Sequence, residues 1–229
     1  MLSSYDVILF DADRTLFDTG AMEKEALQKL MRKMGRPYEE TMPMTYYTIN
    51  EGLWRRIETG ELTRDYVRVE RFRQFLSKYH LPGDAAEVNR TYLEIFQQCN
   101  LLIPGAELVC EKLSQENKRL AIITNGTASV QYARFALASI TPYFSHVFVS
   151  EEVGVPKPQK AFFEAVLREM DIPDRRRVLI VGDSLTSDIK GGNNAGIDTC
   201  WFHPAGAQGT GDVHWEYEIT ALEQLLSIA

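Results

Sequence analysis

The hydrophobic pattern is punctuated by apolar runs too short for helices: Val7 to Phe10, Leu120 to Ile123, Val147 to Val149, Val178 to Val181 and Thr199 to Phe202. Each ends in small or polar residues. Short unbroken apolar runs are what strands covered on both faces require, as in a parallel sheet. Between them, apolar positions recur at helical spacing over Ala106 to Glu116, Ser129 to Leu137, Lys160 to Met170 and Ser187 to Ala195. Strand alternating with helix predicts a doubly wound α/β core.

From Ala21 to Asn100 the alternation stops. Helical periodicity appears four times, over about Met22 to Met34, Tyr46 to Thr59, Arg64 to Tyr79 and Ala85 to Cys99, with no convincing strand. Gly35-Arg36-Pro37, Gly60 and Leu81-Pro82-Gly83 break the helices apart. The pattern predicts an all-helical domain at 19–100 inserted into an α/β core formed by 1–18 and 101–229. No internal repeat or low-complexity segment is present, and Ala205 to Gly211 reads as a Gly-rich loop.

Composition narrows the functional classes. The 229 residues are 45% hydrophobic with a net charge of -7, and no Lys/Arg-rich run supplies the footprint that nucleic-acid binding needs. No apolar stretch approaches the roughly 18 residues of a membrane span, and the first residues lack a leader pattern. The expectation is a soluble, cytoplasmic protein whose partner is neither nucleic acid nor membrane. Cys99, Cys110 and Cys200 are odd in number and irregularly spaced, so they read as buried free thiols. His80, His146, His203 and His214 never fall at the spacing of a helical zinc site.

In a doubly wound sheet, ligands bind beyond the carboxyl ends of the strands. There the sequence places Asp11-Ala12-Asp13-Arg14-Thr15, Thr124-Asn125-Gly126 and Gly182-Asp183-Ser184, with Asp188 five residues after Asp183. Gathered carboxylates repel one another, and a cluster of this kind usually needs a cation; oxygen ligands favour magnesium, which also suits a phosphate substrate. Taken singly, each aspartate could equally cap the helix that follows its strand.

Asp11-Ala12-Asp13-Arg14-Thr15-Leu16-Phe17-Asp18 resembles the first motif of haloacid-dehalogenase-superfamily phosphatases. Thr124 resembles the hydroxyl residue of the second motif, Lys157 in Val155-Pro156-Lys157-Pro158 the lysine of the third, and Gly182-Asp183-Ser184 with Asp188 the fourth. Four motifs in order cover most of the core. The departure is Arg14, where the family often has Gly, Glu or Asn, and its side chain is expected to point away from the phosphate. The resemblance implies a Rossmann-like core with a helical cap between motifs one and two.

It also implies roles. Magnesium would be held by the Asp11 carboxylate, the Asp13 backbone carbonyl and the Asp183 side chain. Asp11 would attack phosphorus and become an aspartyl phosphate. Asp13 would protonate the leaving alkoxide and then take a proton from water. Lys157 would offer positive charge to the phosphoryl oxygens, and the Thr124 hydroxyl and Asn125 backbone N–H would donate hydrogen bonds to them. Asp188 would orient Lys157 or a metal-bound water.

Rival chemistries remain. A dehalogenase needs neither metal nor acid, so Asp13 and Asp183 would be superfluous. A phosphomutase or sugar-phosphate phosphatase shares the Asp-x-Asp pair. A receiver-like phosphoacceptor would bind magnesium without turnover, which Asp13 beside the nucleophile disfavours. Asn50, Leu53-Trp54, Gly60, Thr63 and Arg71-Phe72, with Ser150 to Pro158, Gly191 to Ile197 and Thr199-Cys200-Trp201, resemble the bacterial pyrimidine 5'-nucleotidases of the superfamily. That implies a small phosphorylated metabolite, a nucleoside monophosphate, as substrate. Trp54 and Phe72 either stack on a base or fill the helical core.

Overall fold

A computed structural model describes residues 5–203 and 213–229; the Gly-rich stretch 205–211 lies outside them. The described residues divide into an α/β unit, 5–18 with 102–203 and 213–229, and a helical unit, 19–101.

In the α/β unit, β1 (Val7–Phe10), β2 (Arg119–Thr124), β3 (Phe144–Val149), β4 (Val178–Gly182), β5 (Asp198–Phe202) and β6 (Tyr217–Ile219) form one parallel sheet. Their order is β3-β2-β1-β4-β5-β6. The chain winds outward from β1 on one side and then returns to β4 on the other, so the switch point lies between β1 and β4. The register pairs Phe10 with Ile122 and with Val181. Every residue of β1 and β4 is buried, which explains why both are wholly apolar apart from the closing Gly182. One face packs Val7, Leu9, Val178 and Ile180 against Phe162, Phe163, Val166 and Leu167 of the helix Lys160–Glu169.

The sheet departs from the sequence expectation at its margins. β3 begins at Phe144 rather than Val147, because an edge strand half-open to solvent tolerates Ser145 and His146. β6 was not expected; three residues, Tyr-Glu-Ile, carry too little pattern to read. The helix expected from Ser187 begins instead as a π-turn over Leu185–Ile189, and only Lys190–Ala195 is α-helical.

The helical unit comprises α1 (Thr19–Lys33), α2 (Met42–Glu58), α3 (Arg64–Lys78) and α4 (Ala85–Phe96). The Thr63 hydroxyl accepts from the Tyr66 N–H to start α3, and the Asp84 carboxylate accepts from Glu87 to start α4. Its core is aromatic. Phe72 is fully buried, with ring centroids 5.5 Å from Tyr46 and 5.1 Å from Tyr92, so it fills the helical core and presents no face for stacking on a base. Arg71 is buried among the same rings and donates to Asn50 Oδ1 at 3.2 Å and Asn89 Oδ1 at 2.8 Å. The indole N–H of half-buried Trp54 donates to that same Asn50 oxygen.

All three cysteines are free and buried. Burial pushes the Cys110 and Cys200 thiols up to about 12, which leaves them protonated and inert. No described helix is long and apolar enough to cross a membrane.

Truncating Phe72 leaves a cavity that its ring neighbours Tyr46, Phe75 and Tyr92 cannot collapse into. Phe72→Ala should destabilise the helical unit by about 3–5 kcal/mol. Urea unfolding followed by tyrosine and tryptophan fluorescence measures this, and a loss below about 1 kcal/mol would contradict the packing described.

Candidate active site

The site is built where β1 and β4 end. Asp11 prolongs the pairing by donating its backbone N–H to the Val181 carbonyl at 2.9 Å. The chain then doubles back: the Ala12 carbonyl accepts from Leu16 and Phe17, and Arg14 N–H donates to the Phe17 carbonyl at 2.8 Å. Arg14 sits in the left-handed region at φ 64, a conformation that costs a residue carrying a Cβ about 1–2 kcal/mol.

Lys157 lies at the centre, 1% exposed. Its Nζ donates to Asp11 Oδ1 at 2.6 Å, to Asp188 Oδ1 at 2.6 Å and to the Ile123 carbonyl at 2.8 Å. Those three bonds use all three ammonium protons. Burial works against its charge, but Asp11 and Asp188 outweigh it and hold the ammonium above its ordinary range. Asn125 fixes the segment: its amide accepts from the Lys157 N–H and donates to the Lys157 carbonyl, both at 2.9 Å.

Burial likewise pushes the Asp11 carboxyl up, to about 7; Lys157 opposes the rise, and the charges of Asp188 and Asp13 add to it. Asp188, fully buried, spends its second oxygen on the Ser184 N–H at 3.1 Å. The π-turn makes this reach possible, and so does Gly182, where a Cβ would lie 2.4 Å from Asp188 Cγ. Half-buried Asp183 has its carbonyl held by the Trp201 indole N–H at 2.9 Å. One carboxylate oxygen each from Asp11, Asp183 and Asp188 lie within 4.8 Å of one another, an all-oxygen donor set for a hard cation.

Thr124 is buried, and its hydroxyl oxygen accepts from the Gly126 N–H at 2.9 Å and from Gln131 Nε2 at 3.3 Å. With both lone pairs used, the hydroxyl proton is the bonding capacity that remains. Asp13 stands apart from the Lys157 cluster. Its Oδ1 accepts from Arg134 Nη1 at 2.7 Å and its Oδ2 from Gln131 Nε2 at 2.6 Å.

Gln131 and Arg134 were not anticipated from the sequence. Both lie on the helix Ala128–Leu137, whose inward stripe is Val130, Gln131, Arg134 and Phe135. The available signal was two polar residues standing on an otherwise apolar stripe.

A family profile described as haloacid dehalogenase-like hydrolase matches residues 5–196. The chain is 38% identical over 227 residues to the HAD-hydrolase YfnB of Bacillus subtilis, covering 99% of this chain and 96% of that protein. A crystal structure of YfnB bound to magnesium superposes with a TM-score of 0.92 over 98% of both chains. The pyrimidine 5'-nucleotidase YjjG of Escherichia coli is 32% identical over 226 residues, covering 97% of this chain and 98% of its own. The pyrimidine 5'-nucleotidase PynA of Streptococcus pneumoniae is 31% identical over 222 residues, covering 97% and 94%. With the family profile spanning 5–196 and relatives above 30% identity over nearly the whole chain, the chain belongs to the haloacid dehalogenase-like hydrolases and is an enzyme of that family.

Proposed function

We propose that the protein is a magnesium-dependent phosphomonoesterase acting through an Asp11 phosphoenzyme on pyrimidine nucleoside 5'-monophosphates, with the helical unit as its cap domain. The observation that carries this reading is the cluster of Asp11, Asp183 and Asp188 carboxylates, of which Asp11 and Asp188 share one buried ammonium. One ammonium among three carboxylates leaves two negative charges, the amount a divalent cation neutralises, and Asp13 is already matched by Arg134. The donors are oxygens, so the residues fit magnesium. Asp11 and Asp183 would hold it through carboxylates and Asp13 through its backbone carbonyl, while Asp188, engaged by Lys157 and Ser184, orients the lysine. Bound there, magnesium would offset the phosphate dianion's charge beside an attacking carboxylate.

The chain's own residues account for the steps. A carboxylate oxygen of Asp11 attacks phosphorus, the P–O ester bond breaks, and its electron pair stays on the leaving oxygen, which takes a proton from Asp13. Water then attacks the phosphoenzyme and gives a proton to Asp13 as the acyl phosphate bond breaks, restoring the Asp11 carboxylate. The Thr124 hydroxyl and Asn125 backbone N–H donate to phosphoryl oxygens. Lys157 contributes charge rather than a spare proton while its three donors stay with Asp11, Asp188 and Ile123. The choice of substrate is supported by the nucleotidases YjjG and PynA, which cover nearly the whole chain, helical unit included.

Because the Asp11 carboxyl is pushed up to about 7, a proton competes with the cation below that pH, and release of the proton must accompany binding. Magnesium should raise the Tm more at pH 8 than at pH 6, with apparent affinity roughly tenfold weaker at the lower pH. Equal shifts at both would show that no proton on Asp11 competes with the cation over this range.

After removal of metal with EDTA and restoration with magnesium, kcat/KM for dUMP and dTMP should exceed that for glucose 6-phosphate by at least about tenfold, since specificity is set by that ratio. Comparable values would refute the nucleotide reading. Asp11→Asn should fold normally and lose nearly all turnover; a tenth of wild-type activity, without deamidation, would exclude Asp11 as nucleophile.

Asp13→Asn should slow phosphoryl transfer from a nucleotide by about 10² to 10⁴. p-Nitrophenol leaves without a proton, so the variant should give a burst near one equivalent followed by slow hydrolysis. Equal slowing of both substrates without a burst would remove Asp13 from proton transfer.

A further inference from the structure

Asp13 is gripped at both ends of its carboxylate by one helix, Ala128–Leu137. Arg134 Nη1 holds Oδ1 at 2.7 Å and Gln131 Nε2 holds Oδ2 at 2.6 Å. Two donors on two oxygens fix the plane of the carboxylate as well as its distance, which one contact would not do. The donors are themselves immobile. Arg134 is fully buried, with its guanidinium carbon 4.4 Å from the centroid of the Phe17 ring, and Phe17 in turn packs edge-on against Phe135 at 5.2 Å. Gln131 is 2% exposed, and its amide lies so close over the Gly126 backbone that a Cβ there would fall 2.0 Å from Nε2. The same Nε2 reaches the Thr124 hydroxyl at 3.3 Å.

Burying a guanidinium is costly, and a surface pair would return little of that cost. A merely structural arginine needs any acceptor. This one meets a carboxylate that is itself partly open to solvent, two residues beyond Asp11. We infer that Arg134 and Gln131 are positioning residues that hold the Asp13 carboxylate at the orientation from which it serves the leaving oxygen. The inference rests on the acid–base reading of Asp13 given above. Asp13 lies three residues beyond the end of β1, on a loop, and the helix supplies the rigidity that the loop lacks. Through Gln131 the hold also ties Asp13 to Thr124, so the groups meeting the leaving oxygen and the phosphoryl oxygens share one reference.

The test uses full-length protein with magnesium and compares first-turnover release of deoxyuridine from dUMP with release of p-nitrophenol from p-nitrophenyl phosphate. Arg134→Met, which keeps length and volume, should slow dUMP by roughly 10- to 100-fold, the scale of an ångström of misplacement, with p-nitrophenyl phosphate slowed less than about threefold. Arg134→Lys, with charge and a donor restored, should recover most of the dUMP rate. In an Asp13→Asn background, Arg134→Met should add less than about twofold, because a residue acting only through Asp13 has nothing left to position. Gln131→Met removes one grip at lower risk to folding and should give the same selective pattern at about 3- to 10-fold. Equal slowing of both substrates by Arg134→Met and Gln131→Met, or undiminished loss in the Asp13→Asn background, would overturn the positioning role while leaving Asp13 as acid. If Asp13→Asn alone fails to distinguish the two substrates, the acid–base reading fails first, and the inference falls with it.

Discussion

The cluster around Asp11 depends on one buried ammonium. An ammonium deep inside a protein is tolerable only when acceptors surround it, and Lys157 has three: Asp11, Asp188 and the Ile123 carbonyl. Each acceptor comes from a different strand or the turn after it, so the ammonium cross-links the ends of β1 and β2 and the turn beyond β4. Asp188 can take part only because Gly182 lacks a side chain and the chain beyond it winds as a π-turn. Asn125 holds the lysine's backbone from the position just beyond the end of β2. Remove the charge, and two buried carboxylates face each other with nothing between them.

In the proposed mechanism, the same neutralisation that makes the cluster stable would make it reactive. A carboxylate solvated by water is a poor nucleophile toward a dianion, whereas Asp11 is stripped of solvent and held by one oxygen. Asp13 is kept out of this cluster by its own counter-charge, Arg134, so two aspartates two residues apart meet different surroundings. In the proposed mechanism, separate environments for neighbouring carboxyl groups would let one loop support both attack and proton transfer.

What the sequence made legible follows from burial. The central strands announced themselves because a strand covered on both faces must be apolar throughout, and polar residues directly after them stood out as strand-end positions: Asp11, Asp13, Thr124 and Asp183. β6 and the start of β3 were not legible, since edge strands relax that requirement. The π-turn was hidden because Ser187 to Ala195 satisfies helical spacing equally well in either form. Arg134 and Gln131 escaped notice because polar residues on a helix normally mark its solvent face. Only the flanking Val130 and Phe135 indicated that this stripe points inward. Arg71 was similarly opaque: its aromatic and amide partners lie on three helices, and no local pattern brings them together.

These buried cations illuminate one another. Arg71 in the helical unit is met by two amides and three rings, a set that solvates charge without fixing any carboxylate in place. Lys157 and Arg134 in the α/β unit are each met by carboxylates on the segments that follow β1 and β4. A cation serving only to fill an interior does as well with neutral partners, and avoids the second desolvation penalty that a carboxylate brings. That the α/β unit accepts this penalty twice is a cost that packing does not explain. Holding two aspartates in different, defined environments within three residues of chain does explain it.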